Sequence, residues 1–488
     1  MKDIMKKAAA LCAAVLMAIG CTACSGEEGQ TQSEASGEPA TSEASEPVTL
    51  QVYLAAQYAD PTVHYPIYEA LMDYQEAHPN LTLEFISPKG VNYMEEREAM
   101  ISQLNAEILS GGGPDLFIME GYRTTEINLF PDIEKAMVNG TFLDLTEAME
   151  KQGLSREEDF YSAVLDAGQW EGKQYILPLG FSVPLMISAA DVLNDSSFNL
   201  QRASRSFDGM LSELLRIHQE QPILVNTAFR MTDILAQPIV DYQEHTVNIG
   251  SDAYRRALEL DKIFRTGSIS WEAQGVPFDN RQDQVLQQFE AGTPFAVLYE
   301  TDISMNLLRR CEALGIEITV LPVPNEEGTV TARIGSYAMG NRNTQHPDEV
   351  EDLLLYLVSE ECQSAAAYAD HDQIPVRRGC LQACLEAQYQ FSVYDASREK
   401  LTEEDIQERE REYGVQLGQA RVDQLAFICD QVTAAHYQTV WYNGMDLGKT
   451  QEGKNVLGDL LVRYWNDELT LDELIEILTP KLRLYLDE

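Results

Sequence analysis

Apolar positions recur along this chain with two alternating spacings. VTLQVYLAA (Val48 to Ala56) switches between apolar and polar residues with a period of two, as a half-buried strand does. From Tyr65 to His78 the period lengthens: Ile67, Leu71, Tyr74 and His78 fall on one helical face, and Pro79 stops the helix. LTLEFI (Leu81 to Ile86) is a second strand. Met94, Ile101, Leu104 and Ile108 mark a second helical stripe over 92–109, and the continuous apolar run LFIM follows as a third strand. Strand, helix, strand, helix, strand predicts an α/β fold with helices on the faces of a parallel sheet.

Between the second helix and the third strand lies SGGGPD (Ser110 to Asp115). A glycine-rich loop that cradles phosphate needs the strand first, so that the following helix aims its N-terminus at the anion. Here the helix comes first, and no Lys-Ser/Thr pair follows. Gly111 stands where a helix end favours a left-handed residue, and Pro114 forbids continuation. The segment is a helix-to-strand turn.

The same grammar returns later. A helix carrying Val285, Leu286 and Phe289 ends at Ala291-Gly292, and the strand PFAVLY (Pro294 to Tyr299) follows. IEITVLPVP (Ile316 to Pro324) and GSYAMGN (Gly335 to Asn341) read as further strands. Pro347 to Ala369 predicts one helix with Val350, Leu354, Leu357 and Val358 inward. Ser397 to Tyr413 is dense in charge and predicts an exposed helix. LTLDELIEILTPKLRLYLDE predicts an amphipathic C-terminal helix capped by Thr470. No internal repeat is visible.

The N-terminus follows a different logic. Lys2, Lys6 and Lys7 precede the apolar run Ala8 to Gly20, an export signal in outline. A small residue followed by cysteine occurs twice after it. This resembles the cleavage site of a bacterial lipoprotein, and Cys21 fits the lipid-modified cysteine better than the alternative, Cys24, which would place a cysteine where an aliphatic residue is usual; an ordinary secretory signal without a lipid is the alternative. Ser25 to Pro47 has no aliphatic cluster and reads as a flexible tether.

At 488 residues the chain is too long for one core and predicts two or more domains. Its net charge of −44 repels nucleic-acid phosphates and favours neutral or cationic partners, or simply keeps the surface solvated. Past the leader and tether, Cys311, Cys362, Cys380, Cys384 and Cys429 are an odd set and read as small buried apolar residues; a strained Cys380–Cys384 bridge is the alternative. No CxxC pair or His-rich spacing suggests zinc, His371 between Asp370 and Asp372 reads as a loop, and neither metal nor cofactor is expected.

Taken in order, these segments resemble the extracellular solute-binding proteins of ABC importers, the family that includes maltose-binding protein. LNAEILSGGGPDLFIM resembles the family's helix–turn–strand segment, and WEGKQYILPLGFSVPLMI (Trp170 to Ile187) the first passage between its two lobes. FEAGTPFAVLYETD (Phe289 to Asp302) resembles the return passage. VLPVPNEEG (Val320 to Gly328), the helix ending VSEECQ, QIPVRRG (Gln373 to Gly379) and the closing KLRLYLDE follow in the family's order. Many relatives carry Tyr-Asn-Lys where this chain has Ile187-Ser188-Ala189, which puts sugar specificity in doubt. The resemblance implies a two-lobed periplasmic-binding-protein-like fold of type II, with mixed sheets flanked by helices and a hinge of crossing strands. It implies a leader over 1–20, a lipidated tether over 21–47, one lobe from 48–176 with 298–344, and a second from 177–297 with 345–488.

A cleft between two such lobes faces the carboxyl ends of strands. Gln57 and Tyr58 after the first strand, Glu120 and Tyr122 at the third, Phe181, Tyr299, Glu300, Asp302 and Tyr337 are therefore the candidate ligand-binding residues. A sugar needs aromatic platforms beside carboxylates, which these residues supply, although each also reads as ordinary packing or a solvated loop tip. Trp170 reads as hinge packing, Trp271 as either, and Trp441-Tyr442 as core rather than site. The expected function is capture of a small solute, a sugar or oligosaccharide, by a monomer anchored outside the membrane, with delivery to an ABC permease. A sensor subunit and an exported glycosidase using Glu120 and Glu300 are the alternatives.

Overall fold

Strand β1 (Val48–Leu54) lies in the middle of a parallel trio, between β2 (Leu81–Ile86) and β3 (Leu116–Glu120). Helices Pro66–Ala77 and Met94–Leu109 make the crossovers, as parallel neighbours require. The computed structural model describes residues 47–54, 66–88, 93–120, 128–190, 193, 198–221, 223–270, 281–365, 373–390, 401–437, 447 and 456–488.

Along the chain follow a short hairpin of β4 (Gln169–Trp170) and β5 (Lys173–Gln174), then β6 (Leu177–Ser182), β7 (Pro184–Ala189) and β8 (Leu224–Thr227). A second hairpin, β9 (Val240–Asp241) and β10 (Thr246–Val247), precedes β11 (Phe295–Glu300), β12 (Ile318–Pro322), β13 (Val330–Gly340), β14 (Ile374–Pro375) and β15 (Val432–Tyr437). A seven-stranded sheet runs β14-β6-β13-β3-β1-β2, with β15 also on β13; a four-stranded sheet runs β12-β7-β11-β8. Both mix parallel and antiparallel pairs. β6, β7 and β11 are buried along their whole length, which is why they read as continuous apolar runs.

β13 is the hub of the larger sheet. Its first half pairs in parallel with β15 and its second half antiparallel with β3, so both partners end against the middle of β13: Tyr437 opposite Ile334 and Glu120 opposite Ser336. The carboxyl ends of β3 and β15 thus meet head to head at Gly335.

Two passages between the sheets are pinned by buried polar side chains. Val183 alone separates β6 from β7. Its N–H donates to Thr301 Oγ1 at 3.1 Å and its carbonyl accepts from Thr301 N–H at 3.1 Å. The turn from β12 to β13 is built on Asn325, which is wholly buried. Its Oδ1 accepts from the N–H groups of Glu327 and Thr329 and from the Thr329 hydroxyl, while Nδ2 donates to Thr331 Oγ1 at 3.1 Å. Gly328 completes the turn at φ +83°, where a Cβ would come 2.7 Å from the Arg205 carbonyl oxygen.

Strand pairing draws the grouping of segments differently from the sequence boundaries. β6 shares a sheet with β1 to β3, although it falls within 177–297. β11 and β12 belong to the four-stranded sheet rather than with 48–176, and β14 and β15 to the seven-stranded one. The return passage accordingly lies at 323–329, one strand later than FEAGTPFAVLYETD suggested, because β11 hydrogen-bonds β7 and β8.

Other expectations meet the structure closely. Gly111 has φ +89°, and Thr470 caps Leu471–Asp487 with Glu473 completing a capping box. The exposed helix spans Glu403–Tyr413 and buries no residue. The helix expected over 347–369 instead stops at Leu357, because the Ser359 hydroxyl accepts from Cys362 N–H and starts a new short helix, Glu360–Ser364. Cys311, Cys362, Cys380, Cys384 and Cys429 are all buried thiols.

Replacing Asn325 by Ala strands several buried donors and an acceptor at once. Loss of about 2–4 kcal/mol of unfolding free energy is expected in urea titration, with the midpoint falling and the slope unchanged.

Candidate functional site

The helix Ile133–Val138 begins with Asp132, whose carboxylate is fully occupied. Oδ1 accepts from Lys135 N–H at 2.9 Å; Oδ2 accepts the hydroxyls of Tyr242 at 2.8 Å and Tyr485 at 2.6 Å. Lys135 Nζ donates to the Tyr485 carbonyl oxygen and lies 4.1 Å from the centroid of that ring. Gln243 Nε2 donates to the Gln169 carbonyl oxygen at 2.8 Å. These bonds fasten the region around the first sheet to the β9–β10 hairpin and the C-terminal helix.

Behind this latch is a cavity of about 170 Å³, room for several waters. One wall comes from Asp132 and Glu134. The 3-10 turn Met231–Ile234 and the Arg230 before it form another, Arg333 of β13 with His436 and Tyr437 of β15 a third. Pro238, Ile239, Ile249, Leu258, Leu457 and Leu461 make the apolar floor. The cavity therefore sits at the carboxyl end of β15, where an α/β fold exposes its loops.

Its electrostatics are uneven. Arg333 Nη1 lies 3.1 Å from Asp233 Oδ2 and 2.8 Å from Glu300 Oε1, so one guanidinium joins β13 to the end of β8's loop and to β11. Burial would raise the Asp233 carboxyl, but Arg230 and Arg333 outweigh it and hold that group below its usual range. Asp261 accepts from Arg265 Nε at 3.1 Å, yet burial dominates and its carboxyl is raised. His436 is pushed down by burial and donates to the Leu235 carbonyl oxygen at 3.0 Å, so it is neutral.

Two groups have no such provision. Glu134, in the first turn of its helix, has protein packed around it although water reaches part of its surface. Burial, then the charges of Asp132 and Asp241, push its carboxyl from 4.5 up to about 8. Tyr437 is only 6 % exposed and its hydroxyl has no hydrogen-bond partner among the described residues. Its ring meets that of Tyr337 edge-on at 4.9 Å. A buried hydroxyl left without a partner costs free energy that a ligand can restore.

The candidates from the sequence are distributed as follows. Tyr337 backs the cavity by packing on Tyr437, and Glu300 touches it through Arg333. Phe181 is core, edge-on to Tyr161 at 5.3 Å, and Tyr299 is core, its hydroxyl accepting from Asn226 Nδ2 at 3.0 Å. Asp302 lies in the first turn of helix Thr301–Leu314. Glu120 ends β3 at Gly335's flank. Gln57, Tyr58, Tyr122, Trp271, His371, Trp441, Tyr442 and the cysteines Cys21 and Cys24 lie outside the described residues. Arg333, Glu134 and Tyr437 were not anticipated. Arg333 left one signal, a lone charge inside the apolar run VTARIGSYAMG; Glu134 left none. Among the described residues, no group of three or more His, Cys, Asp or Glu side chains is placed to hold a metal.

Comparison with solved structures decides the architecture. An extracellular solute-binding protein of family 1 from Alicyclobacillus acidocaldarius superposes with a TM-score of 0.57 at 12% identity, over 91% of this chain and 100% of its own. The chain has the two-lobed fold of the extracellular solute-binding proteins. The sugar-binding protein MalE from Xanthomonas citri shares that fold at a TM-score of 0.57 and 14% identity, over 90% and 98% of the two chains. An ABC substrate-binding protein from Listeria monocytogenes, solved with cycloalternan, does so at 0.53 and 13%, over 90% and 99%. No family model matches the sequence, and no curated protein matches it. Arg333, which lines the cavity, joins β13 of the seven-stranded sheet to Glu300 at the end of β11 in the four-stranded one.

The raised Glu134 carboxyl has a stability consequence. Between about pH 4.5 and 8 the folded protein retains a proton that the unfolded chain has released, so stability falls as pH rises through that window. Glu134→Gln removes this loss. Its melting temperature is expected to exceed that of the parent by a few degrees at pH 9 and to match it near pH 4.5, read by calorimetry at both values.

Proposed function

We propose that this protein is the extracytoplasmic solute-binding component of an ABC importer, taking a sugar or short oligosaccharide between its lobes and presenting it to a membrane permease. The observation that carries this reading is the cavity at the junction of the two sheets, with a buried Tyr437 hydroxyl and the Glu134 carboxyl lacking protein hydrogen-bond partners among the described residues. A carbohydrate offers hydroxyls to both, and an apolar face to the aliphatic floor. The fold supports the same reading: the Xanthomonas neighbour is a sugar-binding protein, and the Listeria neighbour was solved in complex with cycloalternan.

Capture in this scheme is reversible binding with closure of the lobes, and it assigns no bond-making step. Gln57, Tyr58, Glu120 and Tyr122 complete the proposed contact set. β1 and β3 are parallel, and β3 ends at Gly335 beside the cavity wall. An export signal with lipid at Cys21, or Cys24, places the lobes on the outer face of the cell membrane on a flexible tether, and the protein acts as a monomer. Among the described residues no helix is long and apolar enough to cross a membrane.

A thermal-shift screen of residues 47–488 against sugars, oligosaccharides, polyols and short peptides tests the reading, because a ligand that binds only the native state raises the melting temperature. Shifts from sugars are expected; shifts from peptides alone would overturn the carbohydrate assignment. Tyr437→Phe should leave the unliganded melting temperature unchanged or slightly raised, while weakening the bound sugar by about three- to tenfold, the value of one hydrogen bond.

A further inference from the structure

The charges around Glu134 are unbalanced in one direction. Asp132 lies two residues before it, and Asp241 of the β9–β10 hairpin adds a second carboxylate field. The remaining titratable groups facing it are phenols: Tyr242 from that hairpin, Tyr337 from β13 and Tyr437 from β15, all held protonated by burial with Glu134's own charge adding to the effect. The cations nearby are committed elsewhere. Arg333 sits against Asp233 and Glu300, Arg230 lies 3.6 Å from Asp233, and Lys135 turns to Tyr485. No basic residue among those described forms an ion pair with Glu134, and His436, in the wall with Tyr437, is spent on the Leu235 carbonyl oxygen.

A binding site for neutral hydroxyls has no need to keep a carboxyl under such pressure, since an amide accepts and donates equally well. A carboxylate crowded by two others, in a lining with its arginines already paired, is matched by an incoming positive charge. The Tyr437 hydroxyl, buried in the cavity lining without a hydrogen-bond partner among the described residues, is an independent pointer to the same spot: a polar ligand atom belongs there.

Building on the carbohydrate reading above, we infer that the solute carries an ammonium group, an amino sugar whose amine pairs with Glu134 while a ring hydroxyl meets Tyr437. As the ion pair forms, a protonated Glu134 gives its proton to the solvent and the ammonium replaces it. N-acetylation removes the charge and adds bulk at that position, and a uronate brings a fourth carboxylate into the field of Asp132, Glu134 and Asp241.

The test uses calorimetric titration of residues 47–488 at pH 7 with glucosamine and its β-1,4-linked dimer, N-acetylglucosamine, glucose, glucuronate and putrescine. Amino sugars are expected to bind at least tenfold tighter than glucose or the acetylated form, with glucuronate the weakest. Glu134→Gln, whose folding the melting curves report, should erase that tenfold preference of amino sugar over glucose. Equal or tighter binding of glucose, the acetylated sugar or glucuronate overturns the inference and leaves the sugar-binding function standing. Retention of the amine preference in Glu134→Gln, or no binding of any amine, overturns it as well. Binding of putrescine with no sugar bound at all overturns the amino-sugar assignment together with the carbohydrate reading on which it rests.

Discussion

A chain that passes between two sheets must leave one hydrogen-bonded ladder before entering the next, and each passage strands backbone groups that water cannot reach. That constraint shapes this protein more than any other. At Val183 both backbone groups are met by one residue, Thr301. At 323–329 a single buried side chain, Asn325, collects three donors and gives one. Both are short-range solutions with little freedom, so each passage is held in one backbone geometry.

β13 organises the site. β3 and β15 end head to head against its middle, so the carboxyl ends of both strands lie together at Gly335. Because Arg333 lies at the same level, the junction also carries a guanidinium that reaches the second sheet's acids. The ion pair is half a hinge contact and half a cavity wall. Its partners being supplied from within the protein, it fixes the junction's geometry and leaves the unmet electrostatics to Glu134.

The latch of Asp132, Tyr242, Tyr485 and Lys135 acts on the opposite side of the cavity. Phenol-to-carboxylate bonds at 2.6–2.8 Å between surfaces from distant parts of the chain are strong when dry and exchangeable with water when opened. A clasp of that kind joins segments distant in the chain through polar rather than apolar contacts.

The sequence alone determined the elements and the kind of fold. Period-two and helical stripes located β1 to β3 and their helices, Gly111 with Pro114 identified the turn, and the Thr470 cap set the last helix, because each of these depends on residues a few positions apart. The order of segments then carried the two-lobed architecture. What only tertiary structure decided was which strands share a sheet and which side chains face the gap. β11 and β12 join β7 through backbone pairing, which leaves no mark on local pattern. Tyr299 and Phe181 look like platforms in sequence and are core, whereas Glu134 is an ordinary surface glutamate until residues 132, 241, 337 and 437 are folded around it. Burial and electrostatic field are sums over neighbours distant in the chain, and those neighbours exist only once the chain has folded.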